Sequence, residues 1–122
     1  MKLKLTISLS ALFILLVSAS FAQTTPPTKN IPASEFYPGG QQAMYEFINS
    51  KAIYPPTAKR NHIQGECIIG LTINPDGTIA NVKVIKNIGG GAGEEAVRLV
   101  KLLKFKPIGY KLDTSVPVIF KL

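Results

Sequence analysis

Residues that build reactive centres are scarce in this sequence. The 122 residues include one cysteine, Cys67, and one histidine, His62. A single cysteine excludes an intramolecular disulfide and any cysteine-based metal framework. With one histidine, a metal site would have to be built from clustered carboxylates, and the sequence shows no such cluster. We therefore expect neither a metal nor a cofactor.

Cys67 and His62 together would still suggest a nucleophile and its base. The pattern around Cys67 favours a structural role, because Cys67 alternates in phase with Ile69 and Leu71 and so behaves as a small core residue. His62 is predicted to end a short helix on the surface. We expect the protein not to be an enzyme and keep a Cys67–His62 enzyme as the alternative.

Acidic residues are also in short supply, since 7 stand against 14 basic residues. Lys2 and Lys4 lie in an N-terminal segment that we expect to be removed, which leaves a net charge of +5. The remaining basic residues are scattered, and Lys59 and Arg60 are the one adjacent pair among them. Scattered charge is typical of a solvated surface. Nucleic acid is not an expected partner, because the secretory route leads away from it, and an anionic partner or a membrane face is the alternative.

The sequence has no apolar run long enough for a comfortable membrane span of about 20 residues. Residues 1–22 instead have the order of a secretory signal peptide: an N-terminal lysine pair, an apolar run from Leu9 to Val17, and small residues at Ser20 and Ala22. We expect cleavage after Ala22 and export to the periplasm, with an uncleaved inner-membrane anchor as the alternative. The residue immediately after the cleavage site is Gln23 and not cysteine, which argues against a lipoprotein anchor.

Residues 23–35 read QTTPPTKNIPASE and contain three prolines. This composition predicts a disordered, extended leader. The leader would reach at most about 45 Å, at roughly 3.3–3.6 Å for each residue. We place a single domain in residues 36–122.

Along residues 36–122, the spacing of hydrophobic residues is first helical, then strand-like, then helical again, and finally strand-like. The NPDG segment at residues 74–77 is a strong turn signal. The spacing of Ile79, Val82 and Val84 predicts inward-facing residues and a β-bulge near Asn81. The predicted elements are helices at 40–50, 54–62 and 94–105, and strands at 65–74, 78–86 and 114–122.

These elements predict an α+β fold, in which a three-stranded antiparallel or mixed sheet carries helices on one face. The helical crossover between the second and third strands suits parallel strands on either side of the first, hence the sheet order 2-1-3. The third strand then lies at an edge, and Pro117 supports this because a residue without an N–H belongs there. We expect Val116, Val118, Phe120 and Leu122 to face the core.

The glycine-rich segment NIGGGAGEEA, residues 87–96, invites comparison with phosphate-binding loops. A Walker-type loop needs Lys and then Ser or Thr after its last glycine, but Glu94 and Glu95 stand there, and their charge would repel phosphate. The dinucleotide fingerprint fails as well, because the sixth residue counted from Gly89 is Glu94 and not glycine. We expect a loop that connects a strand to the start of a helix, with both glutamates at the positive end of that helix.

Four segments, taken together, resemble the C-terminal domain of the TonB family, in the compact form common in Bacteroidetes. They are FYPGGQQAMYEFI, YPPTAKRNHIQGECIIGLTINPDGTIANVKVIK, GEEAVRLVKLLKFKP and VPVIFKL. They occur in the family's order and spacing and cover residues 36–122.

The resemblance implies a part in TonB-dependent transmembrane transport. Domains of this family bind the TonB box, a short extended segment of an outer-membrane receptor that adds as a strand to the domain's last strand. Carried over to this sequence, the implied peptide-binding residues are Lys51, Thr114, Ser115, Val116, Pro117, Val118, Ile119, Phe120 and Lys121.

The N-terminal residues depart from the family, whose full-length members keep an inner-membrane helix and a long spacer. A cleaved signal peptide and a leader of at most about 45 Å favour a periplasmic binding domain that would reach inner-membrane motor proteins through another chain. The alternative is a soluble adaptor or assembly module that uses the same edge strand to form a homodimer or to bind another transducer component.

Overall fold

A computed structural model describes residues 24–25, 27 and 29–122. The predicted signal peptide and its cleavage site lie outside this range, so both stay predictions. Among the described residues, no helix is both long and apolar enough to cross a membrane.

The fold is organised around an antiparallel sheet. Its strands are β1 (Thr24–Thr25), β2 (Gly65–Ile73), β3 (Ile79–Lys86) and β4 (Leu112–Phe120). The order is β1-β4-β2-β3, so the predicted order 2-1-3 is confirmed for the three long strands, and each described pair is antiparallel. β2 and β4 pair along their whole lengths, from Gly65 opposite Phe120 to Ile73 opposite Leu112.

The hairpin of β2 and β3 is irregular at two places. One register shift lies at Asn81, whose φ of +54° is a left-handed conformation that asparagine tolerates better than most residues. This confirms the predicted bulge. A second shift leaves Ile85 unpaired between Val84 and Lys86.

Helices cover one face of the sheet, as predicted. They are α1 (Gly40–Lys51), α2 (Pro56–Arg60) and α3 (Ala92–Lys101). Pro56 opens α2, at a position where the missing N–H has no helical partner to lose. α3 connects β3 to β4 and is the predicted crossover, although it ends before the predicted residue 105.

The hydrophobic core lies between these helices and the inward face of the sheet. Phe120 is 1% exposed, and its ring meets the Tyr54 ring edge-on with centroids 5.6 Å apart. Leu122, predicted to share that face, is instead 49% exposed, because β4 ends at Phe120. The inward residues of the paired strands are Cys67, Ile69, Leu71, Ile73, Val116, Val118 and Phe120, all buried.

Residues 31–35, predicted as part of a disordered leader, belong to the folded structure. Residues Pro32–Phe36 form a 3-10 helix, and Ile31 and Ala33 are buried in the core. Gln41, in the first turn of α1, accepts a hydrogen bond of 2.7 Å from the Ile31 N–H. Burial of two apolar side chains and this bond outweigh the flexibility that the proline-rich composition suggests.

The turn at residues 74–77 supports the segment that leads into β4. Gly77 has a φ of +91°, and a Cβ there would lie 2.2 Å from the Phe105 carbonyl oxygen, so only glycine fits. The Pro75 carbonyl accepts hydrogen bonds of 3.0 Å from the N–H groups of Ile108 and Gly109. The turn therefore anchors the returning chain as well as closing the hairpin.

The glycine-rich loop serves close packing. A Cβ on Gly90 would lie 2.9 Å from the Cα of Ala58 in α2, and the φ of Gly90 is +66°. Glu95, expected to act only through its charge at the helix start, also accepts a 2.8 Å hydrogen bond from the Ile53 N–H. The loop thus joins β3 to α3, as expected, and brings α3 against the segment between α1 and α2.

Phe120→Ala should lower the free energy of unfolding by about 3–5 kcal/mol, because it leaves a cavity beside Tyr54. Leu122→Ala is the matched control, since it removes an exposed apolar side chain two residues away and should change stability by no more than about 0.5 kcal/mol. Urea denaturation of both variants measures the difference. Equal losses for the two would show that β4 does not present Phe120 to the core.

Candidate functional site

The sheet has two edges, and the strands at these edges differ in the features that they expose. At one edge, β3 carries two bulges and exposed lysines, Lys83 and Lys86. Bulges and lysines are devices that keep an edge strand from pairing with another chain. The other edge is formed by β4 and, over a short length, by β1. We call the side of β4 that faces away from β2 the β4 edge.

Pro117 lies at the centre of the β4 edge. The hydroxyl of Tyr45, in α1, donates a 2.7 Å hydrogen bond to the Pro117 carbonyl. Since a helix side chain meets this carbonyl and proline has no N–H for a ladder, Pro117 faces away from β2. Backbone groups alternate in direction along a strand. The N–H and C=O of Ser115 and Ile119 therefore also point outward.

β1 covers one end of the β4 edge. Thr24 lies opposite Phe120, and Thr25 lies opposite Ile119. The expectation that the last strand would form the edge of the sheet is therefore corrected over these two residues. The sequence of residues 23–28 has no strand pattern, so the pairing was not predicted. Between Leu112 and Val118, none of the described strands pairs with the β4 edge.

The nine residues implied by the family resemblance do not form one surface. Val116, Pro117, Val118 and Phe120 are buried, and Thr114, Ser115 and Ile119 are partly exposed. Lys121 is exposed and follows the strand. A peptide at this edge would therefore meet backbone groups and a few half-buried side chains, because the apolar side chains of β4 already serve the core.

Lys51 lies at the end of α1, and its described contacts are with Arg98 of α3 and with Phe47 of α1 itself. Its carbonyl accepts a 2.8 Å hydrogen bond from Arg98, and its ammonium lies 5.9 Å from the centre of the Phe47 ring. Arg98 also pairs with Glu95 at 2.6 Å, and this hydrogen bond raises the pKa of Arg98. The Glu95–Arg98 pair thus holds the chain from Lys51 to Ile53 against α3.

Tyr45 is the site residue that the sequence did not indicate. The helical spacing of Ala43, Met44, Phe47 and Ile48 predicts the inward face of α1. Tyr45 lies outside that set and is nevertheless only 4% exposed. Its hydroxyl finds its acceptor 72 residues away, at Pro117. The local sequence signals are a tyrosine beside an apolar stripe and a proline in a predicted edge strand. Neither signal identifies the other residue as its hydrogen-bond partner.

Cys67 has the properties of a core residue. It is fully buried, and this burial raises the pKa of its thiol, which favours the unreactive protonated form. These properties argue against the Cys67–His62 enzyme. Within the described ranges, no group of three or more His, Cys, Asp or Glu residues is placed to hold a metal ion.

Tyr45→Phe should lower the free energy of unfolding by about 1–2 kcal/mol, because it keeps the ring and leaves the buried Pro117 carbonyl without its donor. Tyr110→Phe is the control, since Tyr110 is 52% exposed and its hydroxyl is expected to contribute no more than about 0.5 kcal/mol. Urea denaturation measures both. A loss for Tyr45→Phe no larger than that for Tyr110→Phe would contradict the importance of this hydrogen bond.

A pH dependence should accompany this variant. Burial raises the pKa of Tyr45 above its ordinary value of 10.0, and the charge of Glu66 adds to the shift. The folded state then holds this proton while the unfolded state loses it, so the stability due to Tyr45 falls as the pH rises above about 10. The stability difference between wild type and Tyr45→Phe should be constant up to about pH 9 and shrink above about pH 10. Urea denaturation across this range checks it, and a growing difference would reverse the assigned sign.

Comparison with known proteins is consistent with this geometry. The chain is 33% identical over 79 residues to Protein TonB of Helicobacter pylori strain J99, a match that covers 62% of this chain and 28% of that protein. Protein TonB of strain 26695 is 38% identical over 64 residues, which covers 49% of this chain and 22% of that protein. The chain thus matches less than a third of the length of these relatives.

Solved structures agree as well. The chain resembles two NMR solution structures of the Helicobacter pylori TonB C-terminal domain. One has a TM-score of 0.57 at 25% identity, covering 79% of this chain and 96% of that chain. The other has a TM-score of 0.55 at 28% identity, covering 66% and 90%.

The family model described as Gram-negative bacterial TonB protein C-terminal matches residues 50–122. This match spans α2, all three long strands and the crossover helix. The chain therefore belongs to the TonB C-terminal domain family.

Proposed function

We propose that this protein is a periplasmic domain that binds the TonB box of outer-membrane receptors by strand addition at the β4 edge, and so contributes to TonB-dependent transport. The observation that carries the proposal is the β4 edge between Leu112 and Pro117. It lies in the last strand of a TonB C-terminal domain, and no described strand covers it. The opposite edge of the sheet is blunted by bulges and lysines, which leaves β4 as the acceptor.

The backbone of β4 sets how a peptide would pair. Ser115 offers an N–H and a C=O on the outer side, whereas Pro117 has no N–H and its carbonyl is held by Tyr45. Strand addition obtains its affinity from main-chain hydrogen bonds. A peptide would therefore begin its pairing at Ser115, and this residue is expected to contribute most at the uncovered part of the edge.

Neighbouring side chains leave room at this position. Asp113 is exposed, and Thr114 and Ser115 are only partly buried. The Thr72 hydroxyl binds Asp113 at 2.6 Å, which fixes the start of β4 to the central strand. The acceptor backbone is thus held in an extended form before a peptide arrives, which lowers the ordering cost of binding.

Isothermal titration calorimetry should detect one-to-one binding of synthetic peptides that cover the N-terminal segments of the source organism's outer-membrane receptors. Ser115→Pro removes an outward N–H without removing a bond to β2, and should weaken binding about threefold to tenfold. Ser115→Ala is the matched control, because it removes only the side-chain hydroxyl and keeps the N–H. Its affinity should stay within about twofold of wild type.

Two outcomes would overturn this function. One is a failure of every receptor peptide to bind the wild-type chain, and the other is equal binding by Ser115→Pro and wild type. Light scattering at micromolar concentration separates the remaining alternative, an assembly module that uses the β4 edge to pair with a second copy. A tight dimer that excludes the peptide would favour that module, whereas a monomer that binds the peptide supports the proposal.

A further inference from the structure

The short strand β1 lies on the part of β4 that a longer peptide would need. Thr25 is opposite Ile119, whose N–H and C=O face outward by the alternation described above. Thr25 therefore occupies the hydrogen-bonding position of the pair. Thr24, opposite Phe120, occupies the alternate position, and its own N–H and C=O point away from β4. We call Thr24–Thr25 the strap.

The strap is tethered close to the site that it covers. Gln41 in α1 donates a 2.9 Å hydrogen bond to the Lys29 carbonyl and accepts one of 2.7 Å from the Ile31 N–H. Lys29 is four positions after Thr25, so a released strap stays within about 14 Å of this anchor, at roughly 3.3–3.6 Å per residue. Such a short tether gives the strap a high effective concentration at the edge.

The sequence also limits how far the strap can extend. Pro26 and Pro27 follow Thr25, and neither can donate to a ladder. Continuing the antiparallel register would place Pro27 opposite Pro117, where the strand again has no N–H. The pairing therefore ends at Ile119, and the groups of Ser115 stay available.

We infer that the strap is an intramolecular competitor for strand addition, which closes the Ile119 end of the β4 edge while leaving the Ser115 end open. This inference rests on the proposed function for its ligand. An incoming peptide would pair first at Ser115 and would gain the Ile119 bonds only after the strap leaves. Two residue pairs make a weak closure, which a longer peptide can displace, and the strap would equally shield Ile119 from a second copy of the chain.

Two proline substitutions test the strap in the chain of residues 23–122, which the expected cleavage after Ala22 would leave. Thr25→Pro removes the N–H that faces Ile119, so the strap should open more often. Thr24→Pro is the matched control, because its N–H points away from β4. Hydrogen exchange followed by NMR should show the Ile119 amide exchanging about threefold to tenfold faster in Thr25→Pro than in wild type or Thr24→Pro. Protection of the β2-facing amides of Val116 and Val118 should be unchanged.

Calorimetry with the receptor peptides gives the second readout. When a site is open in only a fraction of the molecules, its apparent affinity is lowered in proportion to that fraction. Thr25→Pro should therefore bind a peptide about threefold to tenfold more tightly than wild type, and Thr24→Pro should bind as wild type does.

The outcomes separate this inference from the proposed function. Equal peptide affinity in all three chains would overturn the competitor while leaving the binding site intact. If no peptide binds any of the three chains, the proposed function fails. Hydrogen exchange then tests, without a peptide, whether the strap closes the Ile119 end of the β4 edge. Faster Ile119 exchange in Thr25→Pro would then support closure of the edge, and equal exchange in all three would refute it.

Discussion

Antiparallel pairing between β2 and β4 is the constraint on which the remaining structure depends. The two strands are far apart in sequence yet pair over nine positions, with β2 at the centre and β4 outside it. Because the near side of β2 is already taken by β3, the chain must cross the sheet through α3 to reach β4. This route leaves the side of β4 that faces away from β2 at the opposite edge from β3.

Pro117 divides that surface into two parts with different properties. It has no N–H, and its carbonyl is bound by Tyr45, so a ladder on this side is interrupted at its middle. One part, around Ser115, pairs on this side with none of the described strands, and the other, around Ile119, meets Thr25 of the same chain. A single residue thus links the packing of α1 to the way in which an added strand would have to approach.

Much of this fold follows from local sequence patterns. Period-two alternation placed Cys67, Ile69, Val116 and Val118 on the inward face, and all four are buried. The family resemblance and the sheet order are confirmed by the relatives and solved structures. These features depend on residues near one another in sequence, or on a topology that a hairpin and one crossover almost determine.

Long-range partners could not be predicted in this way. Tyr45 is buried because its hydroxyl meets Pro117, and periodicity shows only which face of a helix is apolar. Ile31 and Ala33 are ordered because Gln41 and the core receive them, although their proline-rich neighbourhood suggests disorder. The pairing of Thr25 with Ile119 depends on backbone groups alone, which side-chain patterns do not report.

Hairpin tips are usually places where an inserted tag or reporter is tolerated. The tip at residues 74–77 differs, because the chain entering β4 rests on Pro75 and Gly77. An insertion there would disturb the start of β4 on the far side of the sheet, so a reporter designed to follow strand addition would alter the strand that it was meant to observe.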